Sequence, residues 1–407
     1  MLRVDLNGCR SYLDGSMKAS TLKLCLPVIA MTAQQSAASL VIPPFLDDLN
    51  YAVSAIGSLI ALGPILALVA RLPSGLAYRE DRARMLMVAA LSVITLCNFF
   101  YSFAVSPIHF ALVHALNGFA HGAAMTIYLA FFVEALPPDE DRRHAMGYYA
   151  GCLAIGYSTG GFAAGYIADK LGYEATFMFA SLLALVCIGL LSFLSRPHTK
   201  VGSHPRSAAT TTPLWESLKY ILEPKMAAMV VVHLFLNMMH QLGMVFLPLY
   251  GLAVGLTLTE VGIIKGLYSL CNAITRPLSG FVMKRLSHQS VSRLGLPLQA
   301  AFMTLVPLFN GLSPLLIIFV LVGFLRAVAI VANTISMVED VDTTRVSRGV
   351  ASGIYNAAGD LGNILGPSAG GIIAAFTGVA GLFFVGPVMI VVLFFASLWG
   401  CKFLGKS

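Results

Sequence analysis

The chain has 407 residues, of which 57% are hydrophobic and only 11% are charged, and its mean hydropathy is +0.82. A soluble domain carries about 25% charged residues, so this composition excludes a water-soluble globular protein. The net charge of +7 does not indicate a nucleic-acid partner, because long uncharged stretches separate the basic residues. The composition therefore predicts an all-α protein that resides in a lipid bilayer.

Twelve apolar stretches have about the length of 20 residues that a membrane-spanning helix needs. They cover residues 22–46, 53–78, 84–105, 107–136, 145–168, 174–195, 224–250, 257–283, 291–310, 314–338, 347–374 and 378–402. A basic segment rich in Ser, Thr and Pro follows the sixth stretch, and it contains no apolar run. We therefore predict two pseudo-symmetric six-helix bundles. The predicted parts are a cytosolic tail at 1–21, bundles at 22–195 and 224–403, and a cytosolic linker at 196–223.

The basic residues alternate between the two sides of the predicted membrane domain. Of the 26 Lys and Arg residues, all but Lys170, Lys265 and Arg326 fall in the tails or in loops and helix ends on one side. This distribution predicts that both termini are cytosolic. The tail before the first apolar stretch has no apolar run of its own, so we expect no signal peptide. The absence of glycosylation sequons favours a bacterial protein, and hence the inner membrane.

The cysteines do not predict a disulfide framework or a metal site. There are seven, most of them lie inside apolar stretches, and no C-x-x-C pattern occurs. We expect no cofactor and no metal. No nucleophile motif or phosphate-binding loop is present either, so we do not expect an enzyme.

A glycine pattern occurs twice. Residues 353–371 read GIYNAAGDLGNILGPSAGG, and a weaker copy begins upstream at Gly147. Arg71 and the residues after it also match the segment that begins at Arg276, at nearly the same offset. One half of the chain is therefore a duplicate of the other. Small residues let helices pack closely in lipid, and a Gly-Pro pair allows bending. The positions expected to pack or hinge are Gly147, Gly156, Gly160, Gly353, Gly362, Gly366, Pro367 and Gly370.

Five of the apolar stretches carry a stripe of polar residues on one face. A charge at the centre of a bilayer costs about 2.5–3.5 kcal/mol, so we expect these stripes to face a shared water-filled cavity. The candidate substrate-binding residues are Arg326, Lys265, His114, Asn117, His121, Asn237, His240, Gln35 and Asn356. The candidate proton carriers are Asp360, His114 and His240. Two structural alternatives stay open: an ion pair between Arg326 and Asp360, and histidines that only pack.

These features together resemble the major facilitator superfamily. The loop after the second stretch is similar to the family motif G-x-x-x-D-R-x-G-R-R: Gly75 is present, Arg79 replaces the aspartate, and Asp81 is displaced by two positions. The fourth stretch has His114 and Asn117 where the family often has R-x-L-Q-G. The resemblance implies a cytosolic gate in two equivalent loops. Its residues would be Arg71, Gly75, Asp81, Arg82, Gly280, Lys284 and Arg285.

The segment 353–371 resembles the antiporter motif G-x8-G-x3-G-P-x2-G-G of proton-driven exporters. In those proteins the motif lies in the fifth helix, whereas the complete version here lies in the eleventh stretch. The resemblance implies export by antiport. The first stretch has Gln34 and Gln35 instead of the acid found in many drug exporters, which disfavours a pump for lipophilic cations.

We therefore expect a monomeric secondary transporter that exports a small polar metabolite in exchange for protons. One acid against two bases within the membrane favours an anionic or zwitterionic substrate, for which a siderophore or metallophore is one candidate. An uptake symporter for an organic anion is the alternative within transport. A membrane-embedded receptor or channel is the alternative from another class.

Overall fold

The computed structural model of this chain describes residues 19–104, 106–136, 142–194, 223–283, 286–340 and 348–404. Within these ranges the chain forms ten α-helices and a single 3-10 turn. The helices are α1 Ala19–Asp48, α2 Val53–Ala77, α3 Ala83–Tyr101, α4 Pro107–Ala135, α5 Arg142–Ser192, α6 Pro224–Ala253, α7 Leu258–Met283, α8 His288–Met303, α9 Leu312–Asp340 and α10 Arg348–Leu404. Most of the predicted tail and linker, together with Lys284 and Arg285, lies outside the described residues.

The two longest helices are each interrupted by a glycine. α5 has 51 residues and breaks at Gly172, where φ is 85°, and α10 has 57 residues and breaks at Gly378, where φ is 74°. Only glycine adopts this left-handed backbone without steric cost. In the part of the chain that the structure describes, nine segments are helical, long and apolar enough to cross a membrane, and α7 is not among them. The all-helical prediction is confirmed.

The duplication in the sequence is also present in the structure. α1 begins at Ala19 and α6 at Pro224, which are equivalent positions when Arg71 is aligned with Arg276. The two breaks, Gly172 and Gly378, are equivalent in the alignment of the two glycine patterns. We call α1–α5 the first half and α6–α10 the second half. Most helix contacts fall within a half, and α2–α10, α5–α7 and α1–α6 join the halves.

The repeated glycines pack α5 on α1 and α10 on α6. A Cβ on Gly160 would overlap the backbone of Ala33, and one on Gly366 would lie 2.7 Å from the carbonyl oxygen of Met238. Gly156, Gly362 and Gly370 make similar contacts in their own halves. Since lipid supplies no hydrophobic driving force between helices, this close packing holds each half together.

Two further glycine contacts join the halves, and they are equivalent in the repeat. On one side, Gly57 of α2 touches the backbone of Pro367 and Gly371 in α10. On the other, Gly262 of α7 touches Gly161 of α5, and a Cβ added there would lie 2.5 Å from the Gly161 carbonyl oxygen. In both places the helix backbones meet with no side chain between them.

Three glycines of α5 and α10 near one end of the bundle contact no neighbouring helix among the described residues. We call the end at which α1 begins and α2 ends the basic face, and the other end the opposite face. Gly147, Gly151 and Gly353 lie near the basic face, and no atom lies within 4 Å of a Cβ placed on any of them. Gly147 and Gly353 therefore contact no neighbouring helix in this conformation, contrary to the expectation from the sequence, because both positions are exposed.

At the opposite face a carboxylate links the halves. Asp169 of α5 accepts hydrogen bonds from the backbone N–H groups of Leu258 (2.9 Å) and Thr259 (2.7 Å), the first residues of α7. These N–H groups have no partner inside their own helix. Thr257 and Glu260 complete the N-terminus with a capping box, at 3.2 and 2.8 Å. Asp169 thus caps a helix that belongs to the other half.

Replacing Asp169 with alanine should weaken the link between α5 and the first turn of α7. Loss of an N-terminal cap costs about 1 kcal/mol, so we expect amide hydrogen exchange in the first turn of α7 to accelerate about fivefold. The measurement is exchange mass spectrometry on the purified protein. Glu174→Ala removes an exposed carboxylate from the same face, where Glu174 has no described partner, and should leave the rate unchanged. Equal rates in Asp169→Ala and the native protein would contradict the capping role.

Candidate functional site

A cavity of about 890 Å³ lies between the halves and extends from mid-depth to the start of α5. Its charged lining residues, among those the structure describes, are Lys265, Arg276 and Arg326, all from the second half, and no Asp or Glu lines it. The uncharged polar lining comes from both halves. It consists of Gln35, Ser36, Ser39, Tyr148, Tyr157, Asn237, Gln241, Tyr268, Ser269, Asn272 and Asn363, with His144 and His240.

Lys265 lies where α7 is pressed against the first half. The neighbouring Gly262 and Gly266 contact α5 directly, which brings Lys265 close to α1. Its ammonium group donates a long hydrogen bond of 3.4 Å to the carbonyl oxygen of Ser39. The side chain is largely buried, and within the described residues no carboxylate lies at salt-bridge distance from it. Lys265 is therefore a positive charge with only a weak neutral partner.

Arg326 of α9 is held in a defined orientation at the cavity wall. Its Nη1 donates to the carbonyl oxygen of Leu236 at 2.6 Å, and its Nη2 donates to Oδ1 of Asn237 at 3.0 Å. The amide of Asn237 donates in turn to the carbonyl oxygen of His233 at 2.8 Å. A guanidinium has five N–H groups, so these bonds fix its plane and leave donors for a ligand. The fixed plane suits a carboxylate or phosphate.

His240 lies beside Arg326 on the lining of the cavity. Its Nδ1 is 2.8 Å from the hydroxyl oxygen of Tyr268, and the two rings stack with centroids 5.4 Å apart. Arg276, nearer the basic face, donates from Nε to Oδ1 of Asn272 at 3.2 Å. The three cations of the cavity therefore donate to carbonyl and amide oxygens, and none of these acceptors carries a negative charge.

Asp360 is paired across the halves, but not with Arg326. Its Oδ1 is 3.0 Å from Nη2 of Arg71, at the end of α2 near the basic face. The sequence alternative of an ion pair between Arg326 and Asp360 is therefore wrong. Asp360 does not line the cavity, whereas Asn363, on the same face of α10, does. Asp360 thus joins α2 and α10 nearer the basic face than the backbone contact of Gly57 with Pro367 and Gly371 does.

A small polar cluster surrounds this ion pair in the first half. Arg71 lies near His121 of α4 and Tyr157 of α5. Nδ1 of His121 is buried and has no hydrogen-bond partner among the described residues. His121 is the counterpart of Arg326 in the repeat. It does not line the cavity, in contrast to the prediction for it as a substrate ligand.

His114 has a structural role and lies outside the cavity. Its Nε2 is 3.2 Å from the carbonyl oxygen of Ile60, and its Nδ1 is 2.7 Å from the hydroxyl oxygen of Tyr101. A carbonyl only accepts, so Nε2 carries the hydrogen and Nδ1 accepts from the tyrosine. Both ring nitrogens are thus satisfied by the neutral form. His114 therefore does not line the cavity in this conformation, and its predicted roles in substrate binding and proton transfer stay predictions.

Asn117 and Asn356 also lie away from the cavity. Asn117 donates to Asn98 at 3.3 Å, and Asn98 donates to Gln34 at 2.8 Å, which forms a buried chain of amides inside the first half. Asn356 is exposed and donates to Ser352 at 3.4 Å. The buried amides hydrogen-bond to one another and so stabilise the packing of the helices. A polar residue within an apolar stretch was therefore not a sign of substrate binding here.

Some lining residues were missing from the predicted set. Tyr268, Asn272 and Arg276 lie on the same stripe of α7 as Lys265, and that spacing is visible in the sequence. Tyr157 has no such signal, because it lies alone among small residues of α5.

The loop after α2 forms mainly local contacts. Asp81 pairs with Arg79 at 3.1 Å and with Arg82 at 3.8 Å, and all three side chains are exposed. Only a methyl group of Thr126 lies within 4 Å of a Cβ placed on Gly75. Of the described residues predicted for the gate, Arg71 is the one with an ion pair to the other half.

Comparison with known proteins agrees with this architecture. The family model described as Major Facilitator Superfamily matches residues 24–346 and 244–404. Multidrug resistance protein 2 of Bacillus subtilis is 22% identical over 366 residues, covering 88% of this chain and 90% of that protein. An uncharacterized MFS-type transporter of Methanocaldococcus jannaschii is 19% identical over 318 residues, covering 77% and 81%.

Solved structures show the same fold at low identity. The nucleoside transporter NupG superposes with a TM-score of 0.78 at 15% identity, covering 93% of this chain and 99% of that one. A bacterial homolog of the human lysosomal transporter Spinster, inward-facing and occupied, superposes with a TM-score of 0.75 at 14% identity, covering 98% and 97%. The matches extend over both halves, and the resemblance found in the sequence is confirmed. The chain is a multi-pass membrane transporter, not an enzyme, and it belongs to the major facilitator superfamily.

Proposed function

We propose that this protein is a proton-coupled secondary transporter that exports a small anionic metabolite by alternating access. The observation that carries the proposal is the charge of the cavity: three cationic side chains line it, and no described carboxylate does. We further propose a bacterial inner membrane as its location and twelve spans, with α5 and α10 each crossing twice at their glycine breaks. The basic face is then cytosolic, and the structure is open to the cytosol.

The chemistry of the lining favours a substrate with a carboxylate or phosphate group. Arg326 presents a fixed fork, and Lys265 presents a point charge that is easily withdrawn from the Ser39 carbonyl. A volume of about 890 Å³ is within the range of small-molecule sites, roughly 300–1,000 Å³. Carboxylate-rich metal chelators have this chemistry. An uncharged nucleoside, the substrate class named for one structural neighbour, would leave the three cations unneutralised.

The glycine contacts and the open gap between α5 and α7 support alternating access. To expose the cavity at the opposite face, the bonds from Asp169 to α7 must break while α5 and α7 close at the basic face. Lys265 bridges the same two halves through Ser39. An anion that binds Lys265 removes this bridge, so substrate binding acts directly on an interface that has to move.

The ion pair between Asp360 and Arg71 is our candidate for proton coupling. Protonation of Asp360 removes one charge of a pair that joins α2 and α10, and it releases Arg71 toward His121 and Tyr157. The event takes place outside the cavity, so a proton and a substrate need not compete for one group. Export is supported by the name of the Bacillus relative and by the antiporter-like glycine stretch.

One observation favours a second candidate, uptake by proton symport. The cavity is basic, so a proton on Asp360 would leave Arg71 unneutralised and increase the positive potential that attracts an anion. Proton and anion binding would then reinforce each other, as symport requires.

The direction of a pH gradient separates these two candidates. In proteoliposomes, an antiporter accumulates labelled substrate when the interior is acidic, because protons leave as substrate enters. A symporter accumulates it when the exterior is acidic. The direction of the pH gradient that drives accumulation does not depend on the orientation in which the protein is inserted. A panel of labelled organic anions with an uncharged nucleoside as the control identifies the substrate class, and accumulation of the nucleoside alone would contradict the anion proposal.

Lys265→Gln and Arg326→Gln should each weaken transport of the anion. A hydrogen bond to a charged group contributes about 1.5–3 kcal/mol, so we expect the half-saturating concentration to rise about ten- to a hundredfold. Arg326→Lys keeps the charge but loses the fork, and should recover only part of the affinity. Lys170→Gln changes an exposed cation at the opposite face and serves as the control. Counterflow with native affinity in both cavity variants would rule out the binding roles.

Asp360→Asn should separate transport from the pH gradient. The amide cannot take up or release a proton, so accumulation driven by the gradient should be lost, whereas exchange of labelled for unlabelled substrate should continue. Both modes are measured in the same proteoliposomes. Glu80→Gln removes an exposed carboxylate from the neighbouring loop, outside the residues predicted for the gate, and should leave both modes intact. Gradient-driven accumulation at the native level in Asp360→Asn would remove this residue as the proton carrier.

A further inference from the structure

A second, smaller pocket lies within the second half, away from the transport cavity. It has a volume of about 230 Å³ and is bounded by α6, α8 and α9. The two cavities share no described lining residue. The polar lining consists of Lys225, Gln289, Ser292, Arg293, Asn333 and Ser336. A water molecule occupies about 30 Å³ in the liquid, so the pocket has room for a polar group of several heavy atoms.

The charges of this pocket are of one sign. Lys225 and Arg293 are both exposed, and within the described residues neither forms an ion pair or a hydrogen bond. No described Asp or Glu lines the pocket. Hydroxyl groups of Ser292 and Ser336 are available as further polar contacts, each now bonded only to a carbonyl of its own helix. The lining is therefore suited to an anion with several acceptor oxygens.

The pocket lies at the level where a bilayer meets water. Lys225 is the second residue of α6, and Arg293 is five residues after the start of α8, about 8 Å along the helix. Ser336 is four residues before the end of α9. All three helix ends belong to the basic face. Long basic side chains at this depth reach toward phosphate groups of lipids, and basic pockets between spanning helices hold anionic headgroups.

The two cations are not part of the duplicated scaffold. When Arg276 is aligned with Arg71, the equivalent positions in the first half are Ser20 and Val88. The fold therefore does not require basic residues at these positions. The floor of the pocket includes Asn333, whose amide donates to the carbonyl oxygen of Met229 at 3.0 Å and to the hydroxyl of Tyr355 in α10 at 3.2 Å. A ligand here would contact a network that reaches the helix carrying Asp360.

We propose that this pocket between α6, α8 and α9 binds a phosphate group through Lys225 and Arg293. The position at the bilayer surface makes the headgroup of an anionic phospholipid one source of that group, and a soluble phosphate is the other. Binding at this site is separate from transport of the substrate and does not depend on the proposed function.

The test measures thermal stabilisation of the full-length protein in a neutral detergent. The probes are dioctanoyl phosphatidylglycerol, dioctanoyl phosphatidylcholine and inorganic phosphate. The variants are Lys225→Gln, Arg293→Gln and the double variant, and Lys23→Gln is the control because it removes an exposed cation from the same face outside the pocket. Each single variant should raise the half-saturating concentration of phosphatidylglycerol about fivefold and the double variant about 25-fold, and the control should not change it.

Each outcome decides for or against the site. Stabilisation by phosphatidylglycerol that depends on Lys225 and Arg293 supports the site with a lipid as the source. The same dependence for inorganic phosphate supports the site with a soluble source. Three outcomes would each overturn the proposal. The two lipids could stabilise the native protein and the variants equally, or Lys225→Gln and Arg293→Gln could shift the half-saturating concentration no more than Lys23→Gln does. The native protein could also show no stabilisation by any probe. If the double variant does not fold, the two single variants provide the same comparison.

Discussion

The structure depends on two places where helix backbones of opposite halves touch. Gly57 meets Pro367 and Gly371 on one side, and Gly262 meets Gly161 on the other. Association between helices in lipid relies on close packing, so a larger residue at these positions would push the halves apart. The two contacts are equivalent in the repeat and lie on opposite sides of the cavity. The halves therefore rest on each other symmetrically, as a rocking movement requires.

The chemistry of the protein lies where the two copies differ. Asp360 corresponds to Ala154, Lys265 to Ile60, and Arg326 to His121. The α2–α10 interface is bridged near the basic face by Asp360 and Arg71. On the equivalent α5–α7 side, Arg276 and Ala154 both line the open cavity, because no acid is present to join them. The cavity thus opens on the side that lacks the carboxylate.

The sequence predicted most of the fold and part of the lining of the cavity. Hydropathy and the repeated glycines located the helices, because lipid imposes a length on a span and close packing requires small residues. Lys265 and Arg326 were found because a charge in an apolar stretch is costly unless it faces water. His114 and Asn117 produced the same signal for another reason, because their hydrogen-bond partners lie inside the first half. His114 bonds to Tyr101 and Ile60, and Asn117 bonds to Asn98. Which polar group faces a partner and which faces a cavity depends on helix rotation, and one sequence does not contain that information. The partner of Asp360 could not be predicted either. Arg71 belongs to the other half and lies far from Asp360 along the chain, so nothing in the sequence pairs the two residues.

In the mechanism we propose, charge links substrate binding to closure of the cavity. Lys265, Arg276 and Arg326 line a cavity that extends toward the basic face, and carbonyl or amide oxygens accept part of their hydrogen bonds. Closing α5 against α7 at this face would remove water from the cavity, and each unneutralised cation would then bear a cost of about 2.5–3.5 kcal/mol. A bound anion offsets that cost, so a loaded site closes more readily than an empty one. Asp360 affects the same balance from outside the cavity, because its charge determines whether Arg71 adds to the positive potential or is neutralised. In the mechanism we propose, substrate and proton therefore influence one conformational change through electrostatics, without sharing a single binding group.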